Sequence, residues 1–137
     1  MSVKYHIDRR RRLIVTTGEG RVTFAEAKEH QDRLLSDPDF DPEFDQLIDM
    51  TNAEELEITA EEAVSLASRP VVSQESRRAF VAGNKAIFGM GRLMETHHEL
   101  RVGGPTGVFY HLSEALDWLG ADRKTRGTSA SKAGLKG

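Results

Sequence analysis

The chain has 137 residues, 38% of them apolar and 30% charged, enough for one domain that buries roughly two-thirds of its unfolded surface. It contains no cysteine, which excludes disulfides, thiolate nucleophiles and Cys-based zinc sites. No apolar run approaches the roughly 20 residues of a membrane-spanning helix, and Met1–His6 lacks the apolar core of a signal peptide, so the sequence reads as soluble and cytoplasmic.

The net charge of −3 is unevenly placed. Leu34 to Ser68 holds no Lys or Arg but is rich in Asp and Glu, a face that would repel nucleic acid. By contrast Arg123, Lys124, Arg126, Lys132 and Lys136 face only Asp122 at the end of the chain.

Val3–Ile7 and Leu13–Thr17 are strand-forming runs joined by the charged turn Asp8-Arg9-Arg10-Arg11-Arg12, and Gly18-Glu19-Gly20 is expected to end the second strand. Thr23-Phe24-Ala25-Glu26 is a capping box that opens the first helix, with Phe24, Ala27, Leu34 and Leu35 at helical spacing. Ser36-Asp37-Pro38 closes it, because the residue before proline disfavours the helical basin. Asp37, Asp39 and Asp41 invite a calcium reading. Counting from Asp37, however, puts Pro42 where a calcium loop needs Gly and Ile48 where it needs a bidentate Glu. The segment reads instead as a solvated loop anchored by Phe40 and Phe44.

The third strand, Asp45–Met50, ends in Asp49 and leads through the polar residues Thr51 and Asn52 toward a second capping box, Thr59-Ala60-Glu61-Glu62. In open α/β sheets such strand ends line binding surfaces, so Asp49, Thr51, Asn52 and Thr59 form the candidate binding surface. Arg69-Pro70 ends the second helix, Arg78–Ala82 is the fourth strand, and Gly83-Asn84 turns into a third helix over Lys85 to about Glu99. Gly83-Asn84-Lys85 and Gly89-Met90-Gly91 fit neither a P-loop nor a dinucleotide fingerprint. Gly89 and Gly91 each cost a helix about 1 kcal/mol relative to Ala, so close packing or an apolar pocket lined by Phe88, Met90 and Met94 is the expected compensation. His97 and His98 point about 100° apart and cannot share a metal; they read as surface residues near a helix C-terminus, and His6, His30 and His111 as isolated structural residues. Gly107–Tyr110 is the fifth strand and Ser113–Leu119 the closing helix, stopped by Gly120. Residues 1–120 form one domain and 121–137 a flexible basic tail.

The order β-β-α-β-α-β-α-β-α, with right-handed crossovers, predicts an α/β fold with a mixed, mostly parallel sheet covered by helices. This order, the segment Asp37–Asp45, the strand Leu47–Met50 and the ending Val108–Gly120 together resemble the SpoIIAA-like family. That family is similar in fold to the STAS domain of anti-sigma-factor antagonists and is sometimes grouped with CRAL-TRIO lipid-binding domains. In the antagonists an Asp-Ser-Ser/Thr-Gly motif places a phosphorylatable hydroxyl at the start of the second helix. Asp49 matches their strand Asp, and Thr59 is the residue that could stand in for the hydroxyl, without the adjoining Ser and Gly. The resemblance makes Thr59 a candidate phosphosite, although Glu57, Glu61 and Glu62 would repel a phosphate there.

With no catalytic spacing, metal-ligand set or cofactor motif, the sequence reads as a non-enzymatic, STAS-like regulatory or protein-interaction domain. The alternative is a small-molecule or lipid carrier with an apolar pocket beside the third helix. A protein partner and a small apolar ligand are thus the two expectations, and STAS-like relatives imply a homodimer as one arrangement.

Overall fold

Residues 2–128, with side chains through Gly120, are described by the computed structural model. The elements follow the expected order: β1 (Val3–Asp8), β2 (Leu13–Thr23), α1 (Phe24–Ser36), β3 (Asp45–Glu57), α2 (Ala60–Ser68), β4 (Arg78–Ala82), α3 (Lys85–Arg101), β5 (Thr106–Phe109) and α4 (Leu112–Thr128). The strands lie side by side in chain order. β1 and β2 are antiparallel and every later neighbour is parallel, as expected of a mixed sheet.

Sequential strand order fixes where the helices go. Each parallel crossover moves one strand in the same direction, and right-handed connections must then place α1, α2 and α3 on one face. α1 accordingly packs on β1 and β2, α3 on β3, β4 and β5, and α2 against α3. α4 covers the other face, where Ala115 and Leu119 meet Leu13, Leu47, Ala79 and Val81. The three-helix face holds the larger core, including Val22, Met50, Phe80 and Ile87.

Local chemistry sets the element ends. Both capping boxes form: the Glu26 amide donates to Thr23 Oγ1 at 3.2 Å and the Glu62 amide to Thr59 Oγ1 at 3.1 Å, and each Glu carboxylate accepts from the Thr amide. Asn84 Oδ1 caps α3 by accepting from the Ile87 amide. In the loop before β3, Asp37 and Asp41 carboxylates accept from the Asp39 and Glu43 amides, and Phe44 is buried against Ile14 and Leu34.

Three boundaries differ from expectation. β2 does not end at Gly18–Gly20, and β3 does not end at Met50: the two strands stay paired as far as Thr23 and Glu57. The register shifts between Thr17 and Glu19 and between Gly20 and Arg21, each time with an extra residue on β3. These bulges hide the period-2 alternation that would have marked Ala53 and Leu56 as inward-facing. Gly20, with φ of +62°, supplies the left-handed backbone beside the second shift. The closing helix also runs past Gly120 to Thr128. The basic tail expected over 121–137 lies outside the residues whose side chains are described.

The two helical glycines separate cleanly. A Cβ on Gly91 would meet the Phe80 ring at 2.7 Å and Val108 Cγ1 at 3.1 Å, so Gly91 allows α3 to approach the sheet. A Cβ on Gly89 would meet nothing within 4 Å. Gly89→Ala is therefore expected to stabilise the protein by about 1 kcal/mol, through helix propensity and a less flexible unfolded chain. Gly91→Ala should lose that gain and destabilise by about 1–3 kcal/mol through overpacking. Parallel urea titrations would check the contrast; equal midpoints for the two variants would refute it.

Candidate functional site: a polar row beneath three helices

Paired strand residues project to the same face, so the register places side chains in rows across the sheet. One row beneath the helices runs Ile14, Gln46, Arg78 and Thr106; the next runs Thr16, Ile48, Phe80 and Val108. Between these rows and α1, α2 and α3 lies a cavity of about 90 Å³. Its walls are mainly apolar, from Val22, Ile48, Met50, Leu66, Phe80 and Met94 among others, and its polar lining comes from Thr16, His30, Gln31, Gln46, Arg78 and Thr106. Among the described residues, no Asp or Glu lines it.

Arg78 is 7% exposed. Its Nε donates to Gln46 Oε1 at 3.1 Å, and its Nη1 lies 3.1 Å from His98 Nδ1. Nη2 makes no hydrogen bond to a described residue, and no described carboxylate pairs with the guanidinium. Burial lowers its pKa to about 10, so the side chain still carries its charge at neutral pH. A buried guanidinium with no counter-charge is unusual, because charges removed from water are ordinarily paired.

Two histidines flank this cation, and both are neutral. His98, fully buried on α3, has a pKa lowered to about 4 by burial and then by Arg78. Its Nδ1 also lies 3.3 Å from the Ala67 carbonyl. The charged Arg78 donor makes Nδ1 the acceptor, which puts the ring proton on Nε2, a buried atom without a described partner. His30, from α1, contacts Thr16 Oγ1 through Nε2 at 2.9 Å, and its pKa falls to about 4 through burial, then Arg33 and Arg78. Thr106 Oγ1 is buried with no described partner.

The sequence-derived residues fall in several places. Asp49 projects with Thr17 and Val81 toward the α4 face, and its Oδ1 accepts from the Thr51 amide at 3.0 Å and from the Thr51 hydroxyl in a short contact. Thr51 and Asn52 beside it are exposed. Thr59 caps α2 beyond the end of β3, so eight residue steps along the strand separate Asp49 from Glu57, roughly 25 Å at about 3.3 Å per step. The structure joins Asp49, Thr51 and Asn52 but does not bring Thr59 to them. Of the expected pocket residues, Met94 lines the cavity. Met90 packs with Ile58, Ala63 and Leu66, and Phe88 stacks on Tyr110 with ring centroids 4.2 Å apart.

His98 corrects the expectation of a surface residue: α3 turns it under α2, toward Ala67. Arg78, Gln46, Thr106, Thr16, His30 and His98 escaped sequence reading as a group. The available signal was Arg78 opening Arg-Ala-Phe-Val-Ala, a strand buried at every position. Among the described residues, no three His, Asp or Glu side chains could converge on a metal, and no helix is long and apolar enough to cross a membrane.

The fold is SpoIIAA-like. A crystal structure of an uncharacterized protein of the DUF3478 family from Shewanella loihica PV-4, with a SpoIIAA-like fold, is similar with a TM-score of 0.57 and 20% sequence identity, over 86% of this chain and 94% of that one. No family model and no curated protein matches the chain.

Proposed function

We propose that the chain is a non-enzymatic binding protein that takes a small, largely apolar molecule into the cavity between the sheet and α1, α2 and α3. The observation that supports this reading is the cavity itself, with mainly apolar walls and a few polar side chains among them. Protein interiors leave few spaces larger than a water molecule, so a cavity of about 90 Å³ marks a place built to hold something. Ala67, 1% exposed on α2, lines the space, so a larger side chain there should fill it. Methyl NMR of the full chain titrated with 1-butanol tests the reading. Shifts concentrated at Ile48, Met50 and Met94 in the wild type, and lost in Ala67→Leu, are expected; no shifts in the wild type, or equal shifts in the variant, would overturn it.

A second reading, a STAS-like regulatory domain with a protein partner, is supported by the exposed Thr51 and Asn52 beside Asp49. Thr59, as a candidate phosphosite, would then belong to a separate patch. Native mass spectrometry separates the readings: a co-purifying small molecule favours the carrier, whereas a protein partner lost on substitution of Asp49 favours the regulator.

A further inference from the structure

We infer that the molecule held in this cavity is a short-chain monocarboxylate, its carboxylate group seated on Arg78 and Thr106 and its hydrocarbon part against Ile48, Phe80 and Met94. The inference rests on the cavity reading above and adds the chemical class of the ligand.

Four observations carry it. First, Arg78 lines the cavity, with Nη2 unused and no described carboxylate paired to its guanidinium. Second, Thr106, next to Arg78 in the β4–β5 register, lines the same cavity, and its hydroxyl oxygen is buried with no described partner. Two unused donors on neighbouring strands call for an acceptor between them, and a charged acceptor gives the stronger bonds. Third, among the described residues no Asp or Glu lines the cavity, while His30 and His98 are neutral, so the site presents one positive charge. A monoanion balances that charge; a doubly charged phosphate would leave one negative charge unpaired in apolar surroundings. A carboxylate, with two oxygens, can accept from Arg78 Nη2 at one and from the Thr106 hydroxyl at the other.

Fourth, size limits the tail. At about 30 Å³ for each water's share of volume, the cavity has room for roughly three waters, and it is smaller than the roughly 150 Å³ space known to admit benzene. A chain of a few carbons fits within it. Gln46 and His98 then act as positioning residues, holding Arg78 Nε and Nη1 and leaving Nη2 for the ligand.

The test titrates the full chain at neutral pH with sodium butanoate, 1-butanol and inorganic phosphate, read by calorimetry and thermal shift. Butanoate should bind at least ten-fold more tightly than either of the others. Arg78→Met should weaken butanoate at least ten-fold while leaving 1-butanol binding within two-fold. Thr106→Val, which removes a hydroxyl that has no described partner, should fold normally and weaken butanoate several-fold, so the inference remains testable even if Arg78→Met fails to fold. Equal binding of butanoate and 1-butanol by the wild type, phosphate binding as tight as butanoate, or full butanoate affinity in Thr106→Val would overturn the carboxylate assignment and leave the cavity reading intact. Failure of both butanoate and 1-butanol to bind would instead sink the cavity reading itself.

Discussion

Replacing Gly83 with alanine is expected to destabilise the protein by about 3 kcal/mol or more, a fall of roughly 10 °C in melting temperature for a chain of this size. β4 ends at Ala82, and Gly83 carries the chain directly across the backbone of β3. A Cβ at this position would lie well inside contact distance of the Thr51 carbonyl oxygen and 3.3 Å from the Met50 carbonyl oxygen. Those atoms belong to a paired strand and cannot swing away as a side-chain tip could. The crossing also sets the start of α3: Asn84 caps the helix and donates from Nδ2 to the Glu54 carbonyl at 3.2 Å. Because α3 roofs the cavity through Gly91 and Met94, Gly83→Ala should also weaken ligand uptake. Thermal and urea unfolding would measure the loss; a change below about 1 kcal/mol would mean that the crossing relaxes easily and does not fix α3.

Acid is expected to destabilise the fold in a window that begins well above the ordinary carboxylate range. His30 and His98 have folded pKa values lowered to about 4 from an unfolded value of 6.5. Between these limits the unfolded chain binds more protons than the folded one, so stability rises with pH and falls as pH drops from 6.5 toward 4. From pH 7 to pH 5 the expected loss is about 2 kcal/mol for each histidine. Glu26, Asp32 and Asp37 also have lowered pKa values, from hydrogen bonds to Thr23, Arg69 and the Asp39 amide respectively. Their contribution is present above the unfolded carboxylate pKa and is lost only at lower pH. Urea midpoints measured at half-unit steps from pH 7 to pH 4.5 should therefore slope downward in the wild type and flatten in a His30→Gln, His98→Gln double variant. An identical slope in the variant would refute the assignment to these two rings.

A carboxylate bound at Arg78 should oppose part of this acid loss, since any ligand that binds only the folded state stabilises it by mass action. The counter-charge of the carboxylate would then offset the cost of burying the Arg78 cation. This is the trade found where a binding site is kept at some expense to stability.

How far the sequence carried the reading depended on whether a signal was local. The two Thr-x-x-Glu boxes at Thr23 and Thr59 marked helix starts that the structure reproduces, because a cap is made within one turn of chain. Asn84 behaved the same way. The proline-preceding positions near Asp37 and Arg69 ended helices for the equally local reason that the residue before proline avoids the helical basin. β3 was misjudged at its far end because its two bulges break the alternation, and only its pairing with β2 shows that Ala53 and Leu56 turn inward. That extension separates Asp49 from Thr59, which the linear sequence had placed at one junction.

The cavity was only half legible. Met94 and the helical glycines pointed to a space beside α3, yet part of its polar lining comes from Gln46, Arg78 and Thr106 on three strands far apart in sequence. Nothing in Arg-Ala-Phe-Val-Ala shows whether Arg78 meets solvent, a carboxylate or a cavity. Likewise His98 read as a helix-end surface residue, and only the packing of α2 against α3 buries it. The order of elements, their caps and the α/β class are all legible along the chain, since they follow from hydrogen bonds and steric limits within a few residues. Tertiary structure alone decided the strand register, and with it which polar side chains line up beneath the helices without a counter-charge, because register is fixed by contacts between segments the chain brings together only on folding.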